Sequence, residues 1–191
     1  ECWKIFNATN LELTRGQHLD MRFEHQSNVT VDEYLSMIRG KTAALVAASA
    51  QIGALIGSGS TEIAAQYGEF GLNLGIAFQI HDDILGIWGD PDVTGKSAAT
   101  DILSRKKSLP VLYGLAQSTE LAAVYQRTAF SDADVTEAVQ LLDAVGAQSY
   151  TRQNEADYYD RAIESLPQSD KGDSERLKDL IQLSETLFER A

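Results

Sequence analysis

Residues 61–88 read TEIAAQYGEFGLNLGIAFQIHDDILGIW, and this stretch decides the fold class. Its only charged residues are Glu62, Glu69, Asp82 and Asp83. The apolar residues recur around the whole circumference of a helix, with no sustained strand alternation, which predicts a buried helix from Thr61, as its N-cap, to about Ile87 or Trp88. Gly68, Gly71 and Gly75 suit close packing against another helix. Gln79, Asp82, Asp83 and Gly86 fall at i, i+3, i+4 and i+7 and share one face. Phe78, Ile80, Ile84, Leu85 and Ile87 fill the other directions. Two adjacent carboxylates on so apolar a helix are costly unless something cationic meets them. The helix dipole adds to that cost at a C-terminal end. One reading is a hard cation such as Mg²⁺, usually held by one or two carboxylates together with substrate phosphates. The other is a solvated Asp–Asp pair. His81 points about 100° away from Asp82 on a helix and reads as structural.

Working outward, residues 43–57 read AALVAASAQIGALIG, fifteen positions without a charge. A membrane span needs about 20, so this run is expected to be a core helix. It belongs to a predicted helix over 31–55 that starts at Thr30, with Glu33 at the capping-box position, and ends at Ser58-Gly59-Ser60. Lys41-Thr42 lies inside it, and the lysine either snorkels to solvent or points into a cavity. Further upstream, Trp3, Phe6, Leu11 and Leu13 show helical spacing and lead to a polar patch at Gln17 and Asp20. With helical patterning already running at Glu1, the chain reads like the later part of a longer protein.

Downstream, residues 89–107 are expected to be mostly loop, broken by Gly89, Pro91 and Gly95. Lys96, Arg105, Lys106 and Lys107 cluster there, although the chain as a whole carries a net charge of −12. After two carboxylates, such a cluster suggests an anion held between a metal and ammonium groups; the alternative is a loop of solvated lysines. Gly95-Lys96-Ser97 lacks the spacing and the preceding strand of a P-loop. Ser108 is a predicted cap for a helix with Pro110 in its first turn, and further helices are expected near 118–128, 133–146, 148–166 and 173–190. The fold class is therefore all-α.

The 191 residues suit one domain with a real core. Lysine and arginine total 16 against 28 acidic residues. That balance argues against nucleic acid and against anionic membrane surfaces as partners, since both demand a basic footprint. The single cysteine, Cys2, excludes an internal disulfide and has no visible role. Without a signal peptide, the cytoplasm is the simplest compartment.

Taken in order, these segments resemble the class I trans-isoprenyl diphosphate synthases of the polyprenyl synthetase family, and most closely the bacterial geranylgeranyl diphosphate synthase-like members. Gly16-Gln17-His18-Leu19-Asp20 is similar to the family's GQxxD element and Lys41-Thr42 to its KT element. Phe78-Gln79 with Asp82-Asp83 resembles its second aspartate-rich motif. Thr94-Gly95-Lys96, Asp101-Ile102, Lys106 and Leu109-Pro110 resemble the loop and helix start that follow. Gly146-Ala147, Tyr150, Tyr158 or Tyr159, and Ala162 resemble a segment near the family's C-terminus.

The resemblance implies an antiparallel helical bundle around a central cavity. Residues 1–191 would be the C-terminal portion of a single synthase domain, with its N-terminal helices absent from this chain. It implies Mg²⁺-dependent head-to-tail condensation of an allylic diphosphate with isopentenyl diphosphate, in a homodimer. By the same resemblance Asp82 binds Mg²⁺ directly and Asp83 helps through water. Lys41, Lys96 and Lys106 hold the allylic diphosphate, and Thr42 and Gln79 line the cavity beside the reacting carbon. The chain departs from the pattern in two ways. Gly86 replaces the third aspartate of the motif, and the family's first DDxxD motif has no counterpart. The 191-residue chain alone is accordingly expected to be inactive. The alternative is a non-catalytic regulatory subunit, or a helical interaction module, of a heteromeric prenyl synthase.

Overall fold

Helix boundaries in this chain are written largely in short polar side chains. A computed structural model describes residues 1–26, 28–90, 99–167 and 174–188. Its helices are α1 (Cys2–His25), α2 (Val31–Ile38), a π-helical turn (Arg39–Ala43), α3 (Ala44–Ser58) and α4 (Thr61–Trp88), followed by α5 (Thr100–Leu103), α6 (Leu109–Gln117), α7 (Thr119–Tyr125), α8 (Asp132–Ala144), α9 (Ala147–Ser165) and α10 (Ser174–Thr186). No strand occurs among the described residues, as the missing alternation predicts. Thr30 caps α2 through a capping box with Glu33. Gly59, at φ 68°, ends α3 in the left-handed conformation that glycine adopts without penalty. The cap of α4 is Ser60, one residue before the expected Thr61: its hydroxyl accepts from Ile63 N at 3.3 Å.

The predicted helix over 31–55 forms, but it is not uniform. Between α2 and α3 the backbone widens into the π-helical turn that carries Lys41 and Thr42. Such single-turn widenings are rare and occur often at functional sites.

The α4 helix is the central rod. It packs most extensively on α3 and α9. A methyl carbon at Gly71 would lie 2.7 Å from Val46 O, and one at Gly75 would lie 2.6 Å from Ala43 Cα, so α4 approaches α3 and the π-helical turn closer than any side chain allows. Around this rod, Phe23, Tyr34, Ile38, Ile76, Ile80 and Leu109 form one buried cluster. Ile87, Ile102, Val111, Leu121, Val124 and Leu142 form a second, toward α5–α8. Phe70, Leu74, Ala162 and Leu166 form a third against α9. Large apolar side chains remain exposed on α1, at Trp3, Phe6, Leu11 and Met21, and on α3, at Leu45 and Ile56. Among the described residues no helix is long and apolar enough to cross a membrane.

Candidate active site

The site grows from one close backbone contact and one side-chain hydrogen bond. Gly16 of α1 lies so close to the π-helical turn that a methyl carbon there would sit 2.1 Å from Lys41 N. This brings the polar patch of α1 to the turn, where Lys41 Nζ donates to Asp20 Oδ2 at 2.6 Å. The turn also faces α4: Thr42 Oγ1 donates to Gln79 Oε1 at 2.7 Å. The amide of Gln79 is thereby oriented, and its Nε2 donates to Asp83 Oδ1 at 3.4 Å.

Asp83 is fully buried, and both its oxygens are taken. Oδ2 accepts from Tyr34 Oη at 2.5 Å and from Leu109 N at 3.1 Å. Oδ1 accepts from Lys106 Nζ at 3.0 Å as well as from Gln79. Lys106 also donates to Asp101 Oδ2 at 3.0 Å. One continuous polar line thus runs Thr42–Gln79–Asp83–Lys106–Asp101 across three elements and the segment between α5 and α6. Burial drives the Tyr34 hydroxyl well above its usual pKa, and the negative charge of Asp83 adds to the effect, so Tyr34 stays a proton donor. The Lys106 ammonium is raised by Asp83 and Asp101 in spite of its burial and stays charged.

Two of the expected site residues meet each other here. The cation that faces Asp83 is Lys106, the protein's own, and each oxygen of Asp83 accepts two hydrogen bonds. Its charge is further offset by the N-terminus of α6, where it caps Leu109 N in place of the predicted cap, Ser108. The Ser108 hydroxyl is buried and makes no hydrogen bond among the described residues. Lys106 is shared between the carboxylates of Asp83 and Asp101 and remains partly exposed.

The remaining candidates sit differently. Lys41 is exposed, and Thr42, Gln79 and Asp82 are half-buried on the accessible side of α4. Lys96 lies outside the described residues. His81 is buried on the opposite side, its Nδ1 2.7 Å from Glu155 Oε1 and its ring edge-on to Phe188, in keeping with a structural role. Among the described residues no group of three or more His, Cys, Asp or Glu side chains could enclose a metal alone. Asp82 still fits a cation whose other ligands are phosphate oxygens, as Mg²⁺ commonly has.

Tyr34 was not among the candidates. Its signal lay in the pattern: a phenol on the apolar face of α2, beside Val31, Leu35 and Ile38, needs a polar partner when buried. The partner, 49 positions away, could not be read locally.

The polyprenyl synthetase family model matches residues 1–142. Geranylgeranyl diphosphate synthase of Mycobacterium tuberculosis is 40% identical over 185 residues, covering 94% of this chain and 51% of that one. The crystal structure of geranylgeranyl pyrophosphate synthetase from Pyrococcus horikoshii superposes with a TM-score of 0.88 at 34% identity, over 100% of this chain and 58% of the other. Geranylgeranyl pyrophosphate synthase from Corynebacterium glutamicum, solved with isoprenyl diphosphate and magnesium, superposes with a TM-score of 0.84 at 28% identity, over 100% of this chain and 55% of that one. The chain thus spans between half and three-fifths of the length of these relatives.

Proposed function

The chain belongs to the polyprenyl synthetase family, and from that premise we propose that it carries the allylic half of a trans-prenyltransferase site. The reaction is head-to-tail condensation of an allylic diphosphate with isopentenyl diphosphate to a longer polyprenyl diphosphate. The observation that carries this reading is the division of labour between two adjacent aspartates. Asp83 is consumed by the scaffold, while Asp82 stays on the accessible side with Lys41, Thr42 and Gln79. A divalent cation, which we take to be Mg²⁺, would bind at Asp82 and neutralise charge on the leaving diphosphate.

The chain's own residues do the rest. Lys41, together with Lys96, offers ammonium groups to the diphosphate; Lys41 is held ready by Asp20 and can exchange that carboxylate for phosphate oxygens. The proton of Thr42 is committed to Gln79, so the lone pairs of Oγ1 are what it presents to positive charge developing on the allylic carbon. Tyr34, Asp83 and Lys106 keep Gln79 at a fixed angle. Preorganised dipoles of this kind are worth more in a site closed to water than in solution.

Residues 1–191 are, on this proposal, the C-terminal portion of one synthase domain. The apolar side chains exposed on α1 and α3 are surface for the rest of that domain or for a second subunit of a homodimer. A cytoplasmic location accords with the lone cysteine.

Calorimetry with Mg²⁺ alone and then with Mg²⁺ plus pyrophosphate tests the site in this chain. Binding should be weak for the metal alone and at least tenfold tighter for the pair. Equal heats in both titrations, or an Asp82→Ala variant that titrates like the wild type, would overturn the assignment. Condensation of labelled isopentenyl diphosphate by the full-length protein, with none by residues 1–191, tests the reaction itself.

A further inference from the structure

Gly86 lies on α4 four positions after Asp82 and is buried. A methyl carbon at Gly86 would sit 2.5 Å from Cγ of Asp101 and 2.6 and 2.8 Å from its two carboxylate oxygens. A carboxylate from another element therefore lies where a side chain at position 86 would begin.

That carboxylate is delivered with care. Asp101 stands on the four-residue helix α5, bracketed by Ala99 at φ 55° and Arg105 at φ 53°. Both are non-glycine residues in the left-handed region, which side chains disfavour, so tertiary contacts rather than local preference hold the segment. The contacts are Ile102, fully buried in the second cluster, and the Lys106 ammonium, which ties the Asp101 carboxylate to Asp83 of α4. Burial raises the Asp101 carboxyl above its usual range. Lys106 opposes that shift, and the charges of Asp83 and Asp82 add to it. Placing this carboxylate here is costly, and only a glycine at 86 leaves the room.

We propose that Gly86 and Asp101 form one unit, in which the carboxylate of Asp101 occupies the side-chain space of position 86 and holds Lys106 against Asp83, making Asp101 a positioning residue for the Gln79–Thr42 line. The steric half of the proposal is independent of the reaction; the positioning half rests on the function proposed above. Restoring an aspartate at position 86 alone should therefore harm the protein. The two carboxylates would compete for one space, and Lys106 could not clasp both.

A double-mutant cycle tests the unit. Melting is measured without ligand for the wild type, Gly86→Asp, Asp101→Gly and the combined variant. Gly86→Asp is expected to lower the melting temperature by roughly 5–10 °C. The combined variant should regain at least half of that loss, because one carboxylate again lies beside Lys106. Wild-type melting of Gly86→Asp, or a combined variant no more stable than Gly86→Asp, would overturn the proposal. The positioning half is read in the full-length enzyme with Asp101→Asn, well below its melting temperature. There kcat should fall by about tenfold while KM for the allylic diphosphate changes less than threefold. Unchanged kcat with an intact melting cycle would leave a packing contact only and refute the positioning role. A wild-type enzyme without turnover would refute the proposed function, and the melting cycle would still decide the unit.

Discussion

Replacing Asp83 with asparagine keeps the shape of the side chain and removes its charge. Each oxygen of Asp83 receives two donors: Tyr34 Oη and Leu109 N on Oδ2, Lys106 Nζ and Gln79 Nε2 on Oδ1. Whichever way the new amide turns, its NH₂ faces two donors and accepts from neither. Lys106 also loses the fully buried half of its carboxylate pair. Breaking a buried pair by removing one partner costs about 3–5 kcal/mol. In a chain of this size each kcal/mol moves the melting temperature by about 2–4 °C, so the loss should be roughly 6–20 °C. Out of a total stability of about 5–15 kcal/mol, that leaves a much weakened fold. Differential scanning calorimetry without metal or diphosphate isolates this effect from ligand binding. Asp82→Asn, one residue away and half-buried, is the comparison and should lose less stability than Asp83→Asn. The reasoning fails if Asp83→Asn melts within 2 °C of wild type by roughly the same measure, or if the two variants lose equal stability.

Three other outcomes are expected. Lys41→Gln should weaken pyrophosphate binding in Mg²⁺ by about tenfold yet leave melting almost unchanged, because exposed ion pairs contribute about 0–1 kcal/mol. Gly16→Ala should destabilise strongly, since its methyl would overlap Lys41 N, whereas Gly53→Ala, with nothing within 4 Å, should stabilise α3 by about 0.5–1 kcal/mol in a denaturant titration. The Asp134 carboxyl is held at about 2 by Ser131, through side chain and backbone, and by Arg127, below its ordinary 3.8. Its contribution is therefore present above the ordinary value and lost as pH falls through the lowered one; the melting difference between wild type and Asp134→Asn should be visible at about pH 6, shrink below about pH 4 and be gone below about pH 2.

Much of this molecule can be read locally. The Thr30–Glu33 capping box, the Ser58–Ser60 break and the period of α4 each depend on residues a few positions apart, and all were legible. Gln79 and Thr42, singled out through the resemblance, meet in the structure. The illegible part is tertiary. Local patterning treats Asp83 and Asp82 alike; what fixes Asp83 is a tyrosine from α2, a lysine from the segment before α6 and a backbone N–H at the start of α6, none of which is a sequence neighbour. Ser108 was the obvious cap for α6, yet a carboxylate 26 positions upstream of Leu109 takes that place. Gly86 looked like a gap in an acidic pattern, and only the fold reveals the neighbour that fills it.

The π-helical turn hides a residue. From Val31 to Ser58 the chain is one continuous helical path, with a five-residue widening at Arg39–Ala43. A turn of this kind holds about one residue more than an α-helical turn and absorbs it where it lies, so the helices on either side keep nearly the phase of an unbroken path. Deleting one residue there would let the path close into α-helix while Tyr34 stays on Asp83 and α3 stays against Gly71. What the deletion would take away is the bulge itself, and with it the placing of Lys41 beside Asp20 and of Thr42 beside Gln79. The scaffold could therefore survive a loss that the site does not.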